Sequence, residues 1–485
     1  MEGTPTHVRS AVRSGLVTGL STAAVSGSAA VAGAILSRKF GHGVKTDGFF
    51  AAYAVYLALV LVANALRVVV LPRFAVARAD GRLGREVGSW ALALAVPLVP
   101  AVVVSIVAAD TVASALTGRP AAQDAAAQLL PWLVPAAAAQ IYAGVAASAL
   151  AALDDYGTAA IGFGAGAVVG LALIGALVDH GVVAFGWGLA VNGALTLAVP
   201  LAALASRRGL GAPDLAVGRR LWELAEGVAL PFALQGLYVI GYRFASGLGE
   251  GDATTFSYAY LIAAFLVAVT ATSVALVSSV PLAREKLTPD RAARHVVAAS
   301  WLSLALVAAA AGVFALAGET VVRWALGSSY GGDTGAQLGR LVVYLAPWMV
   351  ASVAVSVAFP LLFVRGRARW LPAVAVLALG AHVLVEWAGR EAFGLAGVTA
   401  GMAVTTAAVL AALLWPLGTL RTALRGLLVA SVVCGGLAVV AFAAPRLVLG
   451  AVPASLVGLA LYSVVLATWR PAGLREAWAY ARALR

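Results

Sequence analysis

Charge is scarce in this chain. Of its 485 residues only 11% are Asp, Glu, Lys or Arg, while 62% are hydrophobic; a water-soluble domain carries about 25% charge. No folded soluble protein of this size can cover its surface from such a composition, so the chain reads as a polytopic membrane protein. Cysteine is nearly absent: the single Cys434 lies in an apolar run, which excludes an intrachain disulfide and a cysteine-based metal cluster. Lysine occurs only as Lys39, Lys45 and Lys286, none of them preceded by glycine. A Walker-type nucleotide loop needs that dipeptide, so ATP-driven transport is not expected; no residue pattern calls for a cofactor, and none is expected. The formal net charge of +12 would suggest nucleic acid in a soluble chain. Here it is read as cationic loops facing anionic membrane lipids, with no nucleic-acid partner.

The hydrophobic runs can be counted against the roughly 20 residues a helix needs to cross a hydrocarbon core. Fourteen runs result, beginning near Gly15, Gly48, Gly88, Leu129, Gly157, Val182, Trp222, Thr254, Val297, Leu341, Leu371, Phe393, Gly426 and Leu447. The first is too long for the apolar stretch of a cleaved signal and is taken as an uncleaved helix. With the N-terminus inside, 23 Lys and Arg residues fall on inner segments and nine on outer ones. This asymmetry predicts an even number of helices with both termini cytoplasmic.

The chain also echoes itself. The loop before the second run reads Gly41-His-Gly-Val-Lys-Thr46, and that before the eighth reads Gly249-Glu-Gly-Asp-Ala-Thr254. Each leads into an aromatic and alanine helix start, 208 to 209 residues apart, and Pro131-Trp132 is answered by Pro347-Trp348. Both echoes are six helices apart, so the chain parses into an all-α membrane protein of two parallel six-helix lobes, residues 1–210 and 211–420, with two additional helices in 421–485.

The stretch Ser37-Arg-Lys-Phe-Gly-His-Gly-Val-Lys-Thr-Asp-Gly-Phe-Phe50 resembles the first-loop signature of the multidrug/oligosaccharidyl-lipid/polysaccharide (MOP) flippase superfamily, most closely its MurJ-type lipid II flippases. The segment Phe244-Ala-Ser-Gly-Leu-Gly-Glu-Gly, followed by Tyr258-Ala259, is similar to that family's junction between the seventh and eighth helices. The resemblance implies fourteen helices as six, six and two, a multi-pass protein of a bacterial plasma membrane, and alternating-access transport of a polyprenyl-linked saccharide. It further implies membrane lipids and cell-envelope biosynthesis enzymes as partners, and a lateral groove for the lipid tail beside the last two helices. The family's cationic cavity positions fall here on Ser26, Ala32, Val60, Leu61 and Leu261. The expected cargo is a polyprenyl-linked saccharide, a cell-wall or polysaccharide precursor, and these departures count against lipid II itself.

Ionisable residues inside a membrane tend to be functional. Arg67 follows Asn64 by three residues on one face of the second helix, about five residues before its expected end at Pro72. It can line a cavity or snorkel to the interface. Arg243, at the outer end of the seventh helix, has the same two readings. Gln235 follows the helix-kinking Pro231 by four residues, and can serve cargo or an interhelical hydrogen bond. With an anionic lipid phosphate as cargo, Arg67, Asn64, Gln235, Tyr258 and Tyr260 are the expected binding residues, and Arg243 a further one. His382 and Glu386 stand at i and i+4. They can share a coupling proton or form an interfacial pair near the helix end. Glu223 and Glu226 fit a helix start, Gly162, Gly166 and Gly170 close helix packing, and Asp154-Asp155 a solvated turn, not the metal site of a glycosyltransferase. Three other readings stay open: a cation-coupled small-molecule exporter, a non-transporting scaffold, and the glycosyltransferase that the short outer loops disfavour.

Overall fold

The computed structural model describes residues 5–207, 209–284, 288–469, 471 and 473–476; the side chains of 5–16, 18, 19, 64, 68 and 269–284 lie outside the description. The described chain is helical. In order come α1 (Pro5–Phe40), α2 (Val44–Ala79), α3 (Leu83–Val107), the short α4 (Ala109–Leu116), α5 (Pro120–Ala152), α6 (Gly157–Leu177), α7 (Val183–Ser206) and α8 (Val217–Ala245). There follow α9 (Asp252–Arg284), α10 (Pro289–Leu326), α11 (Gly332–Tyr344), α12 (Ala346–Val364), α13 (Leu371–Leu414), α14 (Leu420–Arg446) and α15 (Ala451–Trp469).

Twelve helices are long and apolar enough to cross a membrane among the described residues. One of them, α13, is two antiparallel arms merged across a bend at Gly394, whose φ of 58° and ψ of −132° lie outside helical space. Dividing it, and adding the 33-residue α9, accounts for each of the fourteen runs. The repeated Gly-rich loops serve as turns into α2 and α9. Gly41 and Gly251 take the left-handed φ values 67° and 79°, which a residue with a Cβ adopts only at a cost. Thr46 Oγ donates to the Gly41 carbonyl at 3.0 Å, tying the loop to the first turn of α2.

Contacts divide the chain into two compact units, Met1–Val239 and Ile240–Arg485, with the boundary inside α8. In the first unit α5 is the central helix, buried along most of its length. Its alanine and glycine surface lets α2 and α7 approach closely, as packing in lipid requires where no hydrophobic driving force acts between helices. A Cβ on Gly48 would meet the Ala122 carbonyl at 2.5 Å, and one on Gly193 the Ala136 carbonyl at 2.7 Å. Gly162, Gly166 and Gly170 do the same between α6 and α7: a Cβ at 166 would lie 2.7 Å from Thr196 Oγ1 and one at 170 would lie 2.6 Å from the Gly188 carbonyl. Larger residues fill a second layer where Leu66, Phe74, Trp90 and Ile141 interlock.

In the second unit α10 runs beside α11, α12, α14 and α15, and it kinks at Ala317. Phe442 of α14 fills the space left by Gly312 and Gly458. The buried Tyr462 hydroxyl of α15 donates to the Ala305 carbonyl of α10 at 3.0 Å, which fastens the last two helices to this unit.

Candidate functional site

The bend at Gly394 folds the arms of α13 against each other so closely that a Cβ on Gly389 would stand 2.7 Å from the Gly397 carbonyl. This register brings a polar cluster together inside the second unit. His382 Nδ1 lies 2.9 Å from Thr405 Oγ1 on the opposite arm, and its Nε2 lies 3.2 Å from Glu386 Oε1. Gly401 faces Glu386, leaving the room its carboxyl occupies. Both His382 and Glu386 are 0% exposed. Beyond the histidine contact, neither Glu386 oxygen has a hydrogen-bond partner among the described residues, nor does the buried Thr406 hydroxyl. The arm continues well past Glu386 to the bend, so the pair is not at a helix end as the sequence suggested. A carboxylate buried this deeply is costly unless paired or neutralised. An imidazole at hydrogen-bond reach can do either by holding a proton between them.

The other expected residues are distributed over both units. Arg67 belongs to the first. Its helix does not stop at Pro72 but runs on to Ala79, so Arg67 stands farther from the helix end than the proline implied. The side chain is exposed, and among the described residues it has no ion-pair partner. The Asn64 side chain lies outside the described residues. Gln235 is buried on α8 one turn beyond Pro231, which α8 absorbs without a break. Arg243, Tyr258 and Tyr260 belong to the second unit. Arg243 is exposed. Tyr258 is buried edge-on against Tyr330 at 5.4 Å, and Tyr260 is buried against Trp348 at 5.1 Å.

Two features carried little signal in the sequence. The first is a stack on α2, Phe49, Tyr53 and Tyr56, with ring centroids 5.2 and 5.5 Å apart. It ends where Gln140 of α5 donates to the Tyr56 hydroxyl at 2.7 Å. The second is an elongated cavity of about 690 Å³ in the second unit, walled by α10, α12, the second arm of α13 and α14. Its lining is apolar and uncharged, with Ser431 and the buried Cys434 its polar members. Along α14 it extends from Leu424 to Ala443, about 28 Å at 1.5 Å per residue, close to the roughly 30 Å of a hydrocarbon core.

Asp154 and Asp155 do not converge on a common point. Asp154 pairs with Arg78 and Asp155 with Arg207, each at 2.6 Å, and Asp155 also accepts from the Thr158 amide and hydroxyl. Among the described residues no group of three or more His, Cys, Asp or Glu side chains is placed to hold a metal ion.

No protein-family sequence model matches this chain, and no curated protein matches it in sequence. Solved structures do match. A lipid II flippase MurJ in an inward closed conformation superposes with a TM-score of 0.72 at 11% identity, covering 96% of this chain and 99% of its own. The fold is that of the MOP superfamily. A multidrug resistance MATE transporter of this superfamily, in an inward-facing conformation, gives a TM-score of 0.60 at 14% identity over 85% of this chain and 94% of its own. A MOP transporter from Pyrococcus furiosus, described as having a binding pocket of reverse polarity, gives 0.56 at 13% identity over 87% and 96%. The likeness to these flippase and transporter structures is one of fold.

Proposed function

We propose that this MOP-fold protein is a flippase that carries a polyprenyl-linked saccharide across a bacterial plasma membrane by alternating access, with both termini in the cytoplasm. The observation that carries the reading is the apolar cavity along α14. It has the length of a hydrocarbon core and no charge, which suits the chain of a lipid better than a soluble drug. The flippase structure also spans a larger share of this chain than the MATE structure does, 96% against 85%, as expected if α14 and α15 serve the transported lipid. The anionic head needs a cationic or strongly hydrogen-bonding partner on its way. Arg67, with Asn64 and Gln235, would supply it on the first unit and Arg243 on the second. Tyr258 and Tyr260, buried against aromatic partners, would support the wall from behind. His382 and Glu386 would carry the coupling proton, because their buried pair is the ionisable cluster best isolated from water. That pair also favours a second reading, a cation-coupled exporter of small molecules.

Proteoliposomes loaded with a fluorescent polyprenyl-linked saccharide test both readings through protection of the label from an external quencher. Wild type should equilibrate the label across the bilayer, Arg67→Ala should lose this activity, and Arg67→Lys should retain part of it as a point charge. Glu386→Gln should abolish the dependence of the rate on a proton gradient. Label movement no faster than in protein-free vesicles, beside gradient-driven export of organic cations, would overturn the flippase reading in favour of the exporter. Transport unchanged in Arg67→Ala would make that residue a membrane anchor.

A further inference from the structure

The face of α14 that lines the cavity continues past both of its ends. At about 100° per residue, Leu424, Leu428, Ser431, Gly435, Val439 and Phe442 form one stripe, and all of them line the cavity. Arg421 falls on the same stripe one turn before Leu424, and Arg446 falls on it one turn after Phe442. Arg425 flanks its lower end. All three side chains are exposed. Arg421 and Arg425 have no hydrogen-bond or ion-pair partner among the described residues, and Arg446 bonds only the nearby Leu449 carbonyl, at 3.1 Å.

The spacing matters. Arg421 and Arg446 are about 38 Å apart along the helix, close to the roughly 40 Å that separates the headgroup regions of a bilayer. An uncharged track of hydrocarbon length therefore has a guanidinium at each end, on the same helix face. A residue needed only as a membrane anchor could sit on any face of α14. The lining offers this track no polar side chain beyond Ser431 and Cys434, which suits a hydrocarbon chain. A guanidinium fork matches the oxygens of a phosphate in a bidentate manner.

We infer that Arg421 and Arg425 form a phosphate-capture site at one mouth of the groove and Arg446 the corresponding release site at the other. The ligand is a single-chain polyprenyl phosphate or pyrophosphate whose tail stays in the groove. This rests on the lipid-track reading above and adds to it the residues that select the lipid by its head.

The test uses the full-length protein in nanodiscs of neutral phosphatidylcholine, with binding read by native mass spectrometry. Four probes are titrated: a long-chain polyprenyl phosphate, the matching uncharged polyprenol, inorganic pyrophosphate and phosphatidylglycerol. Wild type should bind the polyprenyl phosphate about tenfold or more tightly than the polyprenol, the scale of a charge-assisted contact. Arg421→Ala/Arg425→Ala should erase that preference without weakening polyprenol binding, which also shows that the variant is folded. Arg421→Lys/Arg425→Lys should keep part of it. Arg446→Ala should leave capture intact and, in proteoliposomes read by quenching of a labelled polyprenyl phosphate, slow its appearance in the opposite leaflet; an unchanged rate overturns the release site. A preference unchanged in the double alanine variant overturns the capture site while leaving the lipid track standing. So does competition by phosphatidylglycerol or pyrophosphate at the same concentration as the polyprenyl phosphate, since the arginines would then be a general anion surface. Failure of wild type to bind polyprenol, together with no effect of the groove-filling Gly435→Trp on any probe, overturns the track itself.

Discussion

In the first unit one set of arginines is bonded to acids; in the second a set of five has no acid partner among the described residues. Arg73 holds Glu223 at 2.9 Å, Arg78 holds Asp154, Arg82 holds Asp80, and Arg207 holds Asp155. The buried Arg220 joins Glu86 at 2.9 Å to Asp214 at 2.7 Å. Trp90 completes the group by donating to Glu86. The stretch leading from α7 into α8 is thereby pinned to α3, where Gly84 leaves room for the backbone at Leu210 and Gly211. In the second unit Arg365, Arg367, Arg369, Arg421 and Arg425 have no such acids among the described residues. The positive-inside pattern counts both sets alike. The structure separates them into cations bonded to acids and cations without an acid partner among the described residues.

The largest effect should come from breaking the first set at its centre. Arg220 is 1% exposed and Glu86 21%, while Asp214 at 44% is partly screened. Arg220→Ala should therefore cost about 2–3 kcal/mol, below the range for a fully buried pair, measured by thermal unfolding followed through tryptophan fluorescence. Loss of less than about 0.5 kcal/mol would show that the linker is held by other contacts. A smaller effect should appear on acidification. The hydrogen bonds from Arg220 and then from the Ala216 amide hold the Asp214 carboxyl well below its usual range. A carboxyl depressed in the folded state contributes stability fully above its unfolded value of about 3.9 and loses it as the pH falls further, towards the folded value. Asp214→Asn should flatten the stability curve below about pH 4 and leave it parallel to wild type at neutral pH; an unchanged acid limb would contradict the pairing. The smallest effect belongs to the second set. Arg367→Ala/Arg369→Ala should change stability by no more than about 0.5 kcal/mol while lowering affinity for anionic vesicles in a salt-dependent manner. A larger loss of stability would mean that these arginines are structural after all.

Much of the fold was legible because membrane-spanning helices announce themselves by length and apolarity. The Gly41 and Gly249 loops were legible because a turn into a helix demands glycine at particular positions. Proline misled at position 72: α2 tolerates it and continues, which altered the setting of Arg67. Glu386 was misplaced towards an interface because the tight bend at Gly394 merges two helices that the sequence shows only as neighbouring apolar runs. The Arg220 group was illegible for a different reason. Its bond to Glu86 spans 134 residues, and no periodic pattern in either helix records that partner. The groove, too, is a property of helices packed side by side, and α14 read alone is an ordinary apolar span.

The bend at Gly394 also governs how this sequence can vary. It folds α13 so that positions face one another as rungs: 389 with 397, 386 with 401, 382 with 405. Volume added on one arm has to be removed from the other, and inserting one residue in either arm would slide every rung out of step. The histidine and glutamate can therefore change identity in place, but neither can migrate along its helix without its opposite number.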